Sequence, residues 1–190
     1  MTVLASSSVN VGLPKPSKSA KSGLANTPHA VMLKSVEFMS LKTAISLASS
    51  PTVAIISIRD SSSVRDLPNF DGFMDVLPLD MLDVCEEHAL HALGSWAEEP
   101  TDEQHLRYCE IPDNFAPSLS HAQAIRAFVD RLHDCADEID LVVHCSAGVS
   151  RSAAVASWTA ERFGIALRDG AGVGLGEANP RILRLLTSLT

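Results

Sequence analysis

Between residues 140 and 163 the chain changes character twice within a few positions, and no other stretch constrains the fold so tightly. Asp140-Leu-Val-Val-His144 is a short apolar run of strand character. Residues 150–163 are rich in small helix formers and end at Gly164, placed to close a helix in the left-handed conformation. Only Cys145-Ser146-Ala147-Gly148-Val149 separates the two, so strand and helix meet through a tight loop. A strand that passes directly into a helix points to an α/β arrangement.

The rest of the sequence repeats that alternation. Residues 36–41 read as an edge strand. Thr52-Val-Ala-Ile-Ile-Ser-Ile58, β-branched and bounded by Pro51 and Arg59-Asp60, reads as a buried strand. Residues 61–71 form a polar loop, and residues 73–79 a further strand interrupted at Pro78. Residues 82–96 have helix-like content, with a stop at Glu98-Glu99-Pro100. Residues 106–111 form a strand running into the turn signature Pro112-Asp113-Asn114. Ser118 or Ser120 caps the clearest helix, where Ala122, Ile125, Phe128, Val129, Leu132 and Ala136 recur at three and four residues. Residues 169–177 are a glycine-rich connection with no strand before it, and residues 181–189 a short amphipathic helix. The expected fold class is therefore α/β, a central and mostly parallel sheet covered by helices on both faces.

The 190 residues fit one domain with a tail, and a 46% hydrophobic content is enough for a core. The tail is expected at residues 1–31, rich in Ser, Pro, Gly and Lys and without apolar periodicity, a composition that cannot offset its ordering entropy. A transit peptide is the alternative for this leader, but it has no arginine and no amphipathic face, so a solvated tail is favoured. The folded domain is expected over residues 36–190. All five lysines lie at or before Lys42. Beyond it ten arginines stand against 22 acidic residues, a balance of −12 within a net charge of −8. Such a chain is not a general nucleic-acid binder. No apolar run is long enough to span a bilayer, so no membrane partner is expected. Four cysteines without a CxxC pair exclude a disulfide scaffold and common zinc modules, which points to the cytoplasm and reduced thiols.

The chemistry concentrates in His144-Cys145-Ser146-Ala147-Gly148-Val149-Ser150-Arg151-Ser152. A loop at a helix N-terminus gathers backbone N–H groups into a nest for an anion. Gly148 lets it bend where a side chain would obstruct it. The positions Ser146, Ala147, Gly148, Val149 and Ser150 would supply the nest, and Arg151 a planar fork for two oxygens. The nest and Arg151 both favour the thiolate of Cys145, a nucleophile. Ser152 would stabilise the sulfur, and His144 would orient the loop from a buried position.

This pattern, HCxxGxxRS, resembles the signature of cysteine-dependent protein phosphatases. HCSAGVSRSAAVA is closest to the dual-specificity and small bacterial tyrosine phosphatase versions. The resemblance covers residues 36–190, with its specific part at residues 106–164. It implies a dual-specificity-like cysteine-phosphatase fold. It also implies hydrolysis of phosphotyrosine proteins or peptides, and also of phosphoserine and phosphothreonine, without metal or cofactor. A carboxylic acid on a loop about thirty residues before the cysteine is implied as proton donor. Asp113 occupies that position, and Glu110 is the runner-up. The uncharged loop positions do not resemble phosphoinositide phosphatases, which carry lysines there. A phospho-binding module without turnover and a small-molecule phosphatase are the competing readings.

Weaker signals carry less. His88 and His91 share a helix face, with His105 near in sequence, but no HExxH accompanies them and a solvated face is expected. The run 170–176 matches no nucleotide-binding pattern. Cys109 and Cys135 could resolve an oxidised Cys145, yet buried structural cysteines are the default. Asn179-Pro180 resembles a feature near the end of several relatives.

Overall fold

The computed structural model describes residues 33–60, 68–84, 116–135, 137–172 and 174–189. The expected tail at 1–31, the helix at 82–96 beyond residue 84 and the strand at 106–111 lie outside the described residues. So do Glu110, Asp113, Ala136, Cys85, Cys109 and the histidines 88, 91 and 105.

Five strands, β1 (Leu33–Ser40), β2 (Val53–Arg59), β3 (Asp75–Asp80), β4 (Ile139–Cys145) and β5 (Ala166–Asp169), form one sheet. Its order is β3-β2-β4-β1-β5, and every neighbouring pair is parallel. Among the described residues the helices are α1 (Leu41–Ala44), α2 (Leu119–His133), α3 (Arg151–Phe163) and α4 (Pro180–Thr187). The architecture is α/β with an all-parallel sheet. Parallel strands end on the same edge of a sheet, so the chain leaves β1, β2, β3 and β4 on one side of the molecule.

Side chains alternate across the sheet with period two. Along β4, Ile139, Leu141, Val143 and Cys145 face the main core, together with Phe38, Ile56 and the buried faces of α2, α3 and α4. Val142 faces the opposite side with Met39, Ile55 and Phe70. Among the described residues that second face carries only the one-turn α1 and the Phe70–Phe73 contact, at 5.8 Å between rings. Helices were expected on both faces; among the described residues α2, α3 and α4 pack on one.

Three further expectations are corrected. Residues 36–41 were read as an edge strand, but β1 lies inside the sheet between β4 and β5, with Leu33, Val36, Phe38 and Met39 buried. The neighbour that makes it internal is β5, which does precede the glycine-rich connection. Its four residues, Ala166-Leu-Arg-Asp169, are mostly exposed and so wrote no apolar run. Pro78 does not interrupt β3, which continues to Asp80 on the opposite edge, where a missing N–H leaves no neighbour short.

The helices follow the sequence closely. Ser118, and not Ser120, caps α2, its backbone N–H donating to His121 Nδ1 at 3.2 Å. Ala122, Ile125, Phe128, Val129 and Leu132 form the buried stripe of α2. The first two turns of α3 are buried on all sides, and its small residues Ala153, Ala154 and Ala156 permit that close packing. Gly164 ends α3 at φ +64°, its N–H bonded to the Ala160 carbonyl. Among the described residues no helix is long and apolar enough to cross a membrane.

Candidate active site

The loop joining β4 to α3 sits where the strands end. Cys145 is the last residue of β4, opposite Ser40 of β1, and Arg151 is the first of α3. Gly148 lies over the end of β1 at φ +78°. A Cβ built there would stand 2.3 Å from the Ser40 nitrogen and 2.4 Å from the Met39 carbonyl carbon, so only glycine allows the loop to lie so low. The Leu41 N–H donates to the Ser146 carbonyl at 3.3 Å and ties the loop to α1.

The Cys145 thiol is 1% exposed. Its Sγ accepts from the Gly148 N–H at 3.3 Å and lies 3.2 Å from Ser152 Oγ. Burial pushes the thiol up. The Ser152 hydroxyl and N–H, the Gly148 N–H and the Arg151 charge outweigh burial and hold it below the ordinary thiol value. Next to it in β4, His144 points to the opposite face, fully buried, its ring 5.4 Å from that of Phe70. Burial, aided by the Arg59 charge and weakly opposed by the Cys145 backbone, pushes its pKa down to about 4. Neither ring nitrogen has a hydrogen-bond partner among the described residues. His144 is thus buried behind the loop, where burial disfavours its charged form.

Arg151 is the buried cation of the site, its side chain 5% exposed. Its Nη1 donates to Asp60 Oδ1 at 2.7 Å and to the Met81 carbonyl at 2.6 Å. Nη2 reaches Ser146 Oγ at 3.4 Å. Nε is buried, has no hydrogen-bond partner among the described residues, and stands 3.7 Å from Asp83 Oδ2. Nη2 spends one proton on Ser146, so among the described residues the edge formed by Nε and Nη2 keeps the Nε–H and the second Nη2 proton, and two parallel N–H groups are the fork that oxyanions accept.

Ser146 and Ala147 are exposed, Val149 and Ser150 half-buried, and Gly148 and Ser152 buried. Two carboxylates hold the loop from outside. Asp60, just past β2, accepts from Ser146 Oγ at 2.7 Å as well as from Arg151. Asp83, past β3, accepts from Ser150 Oγ at 2.8 Å and from Asn179 Nδ2 at 2.7 Å. Asn179 has a defined role: its N–H donates to the Ser150 carbonyl at 3.1 Å, its Nδ2 also to the Val84 carbonyl, and its Oδ1 caps α4 at Ile182.

The structure thus brings together Cys145, Gly148, Arg151 and Ser152, with Ser146, Ala147, Val149 and Ser150 around them. Asp113 and Glu110 lie outside the described residues. Asp60, Asp83 and the Met81 carbonyl were missed from sequence. Asp60 had served only to mark the end of a strand, and nothing in the order of residues said that β2 and β3 would end beside this loop. Among the described residues no cluster of three His, Cys, Asp or Glu side chains is placed to hold a metal. No family model, curated protein or solved structure matches the chain.

Proposed function

We propose that this chain is a cysteine-dependent phosphatase that hydrolyses phosphomonoesters of phosphotyrosine proteins, with a dual-specificity-like fold and extension to phosphoserine and phosphothreonine. The observation that carries the reading is the pairing of Cys145, whose Sγ accepts from the Gly148 N–H and whose thiol is held below its ordinary value, with a buried arginine whose Nε has no hydrogen-bond partner among the described residues. A thiolate needs no general base, and a fixed N–H fork stabilises the charge that builds on phosphoryl oxygens.

The reaction has two steps. Cys145 Sγ attacks phosphorus and forms the S–P bond as the bond to the leaving oxygen breaks, and Asp113 passes its proton to that oxygen. Water then attacks phosphorus, its proton goes to the Asp113 carboxylate, and the S–P bond breaks to return the thiolate and inorganic phosphate. Arg151 and the N–H groups of residues 146–150 hold the equatorial oxygens, and Ser152 supports the departing sulfur. Work in the cytoplasm suits a thiolate that must stay reduced.

The test is turnover of p-nitrophenyl phosphate at mildly acidic pH, with and without vanadate. Vanadate-sensitive hydrolysis that disappears in Cys145→Ser, while that variant still binds tungstate, is the expected result. Tungstate binding without turnover in the unaltered chain would instead identify a phospho-binding module. A phosphopeptide panel set against nucleotides and sugar phosphates separates a protein phosphatase from a small-molecule one.

A further inference from the structure

One carboxylate spans both ends of the loop. Asp60 Oδ1 takes a proton of Arg151 Nη1 and Oδ2 takes that of Ser146 Oγ, each at 2.7 Å. Ser146 and Arg151 are the first residue after the cysteine and the first residue of α3. The Met81 carbonyl takes the second Nη1 proton at 2.6 Å, and Nη1 has no third. The guanidinium is planar, so saturating Nη1 from two directions fixes its rotation. Among the described residues what remains is Nε–H and, beside the contact to Ser146, the second Nη2 proton, which lie on one edge.

We propose that Asp60 is a positioning residue that acts through Arg151, holding the guanidinium so that its Nε–Nη2 edge is offered to a phosphoryl group; this rests on the phosphatase reading. The Met81 carbonyl alone is a pivot, about which the group can tilt. Asp83 Oδ2 stands only 3.7 Å from Nε, so a small tilt lets it close on Nε and occupy the fork. Asp60 opposes that closure by holding the far nitrogen. Because it also ties Ser146, the same carboxylate keeps loop and fork in one register.

The effect is separable from a structural one. Asp60→Ala leaves Nη1 with one partner, and kcat should fall about 10- to 100-fold, the equivalent of one charge-assisted hydrogen bond. Asp60→Asn rebuilds both contacts, Oδ1 accepting from Nη1 and Nδ2 donating to Ser146 Oγ. It should stay within about threefold of the unaltered chain, since geometry and not charge is what Asp60 supplies. In an Arg151→Lys background, which has no Nη1, Asp60→Ala should cost less than about twofold. Thermal unfolding of each variant identifies any loss of fold, and Asp60→Asn serves if the alanine variant does not fold.

The experiment is steady-state hydrolysis of p-nitrophenyl phosphate by these variants of the full chain, with nitrogen-15 NMR of the arginine side chains. An alanine variant with unaltered kcat, an asparagine variant as impaired as alanine, or an equal loss in the Arg151→Lys background would overturn the assignment and leave the phosphatase reading standing. In NMR the Arg151 Nη1 protons should be resolved and slowly exchanging in the ligand-free chain and in Asp60→Asn. Averaged signals in the unaltered chain refute the assignment whether or not it turns over phosphate. An unaltered chain without hydrolysis overturns the phosphatase reading instead.

Discussion

Gly148→Ala puts one methyl group into the most crowded point of the loop, and the outcome follows from what can move. The backbone there has φ +78°, which costs an L-residue about 1–2 kcal/mol. The methyl carbon would lie 2.3 Å from the Ser40 nitrogen and 2.4 Å from the Met39 carbonyl carbon. These are backbone atoms of β1, paired there with His144 and Cys145 of β4, so they have little room to retreat. Overpacking of this kind costs about 1–3 kcal/mol. A loop that stays in place thus loses about 2–5 kcal/mol of stability by the two effects together. A loop that lifts away escapes the clash but withdraws the Gly148 N–H from Sγ, now 3.3 Å apart, and the thiol rises toward its ordinary value. Urea unfolding reads the first outcome. The pH dependence of iodoacetamide alkylation, followed by mass spectrometry on the peptide carrying Cys145, reads the second. An alanine variant with stability within about 0.5 kcal/mol of the parent and an unshifted alkylation profile would refute the reasoning, since one effect or the other must appear.

Two other changes bear on separate parts of the site. Asp113→Ala should slow turnover of poor leaving groups about 10²–10⁴-fold, and that of p-nitrophenol far less. An unchanged rate with phosphotyrosine moves the acid role to Glu110, the runner-up, or elsewhere. His144 binds protons more weakly in the folded chain, at about 4, than its ordinary 6.5. Stability therefore falls as pH drops below about 6.5, by about 2 kcal/mol between pH 7 and pH 5, and flattens again below about 4. Urea midpoints of the parent against His144→Leu at both pH values isolate this contribution. Parallel curves would mean that His144 is not held neutral.

What the sequence revealed and what it hid have a common cause. A buried parallel strand writes a continuous apolar run and an amphipathic helix a periodic one, so β2, β4 and α3 could be read within a residue or two, and α2 by its stripe from Ala122 to Leu132. The loop was legible because its demands are local: Gly148 at a positive φ, and Cys145, Arg151 and Ser152 at fixed spacing between a strand and a helix. β5 was not, because a four-residue exposed edge strand has no burial to record. Missing it made β1 look like an edge. Asp60 and Asp83 were hidden for another reason. Each follows a strand far upstream of Cys145, and only the lateral order β3-β2-β4 brings those strand ends against the loop. The sequence order of elements carries no record of that lateral order.

The charge around the loop invites an objection to any anion site. Arg151 faces three groups able to carry negative charge, the Cys145 thiol, Asp60 and Asp83, in a chain of net −8. Position, and not count, settles which charges an incoming group meets. Asp60 and Asp83 are 38% and 39% exposed, so water screens their repulsion to between about 1 and 4 kcal/mol at ~4 Å. Arg151 is 5% exposed, and with the loop N–H groups it is already fixed, so it acts at lower dielectric and without reorganisation. One phosphoryl group seated on the fork would thus meet attraction at short range and repulsion only through solvent. A second phosphate on the same molecule would lie beyond the buried donors. It would face the two carboxylates, with no lysine among Ser146, Ala147, Val149 and Ser150 to offset them. On the phosphatase reading, the geometry that lets one phosphate in is the same geometry that penalises polyanions.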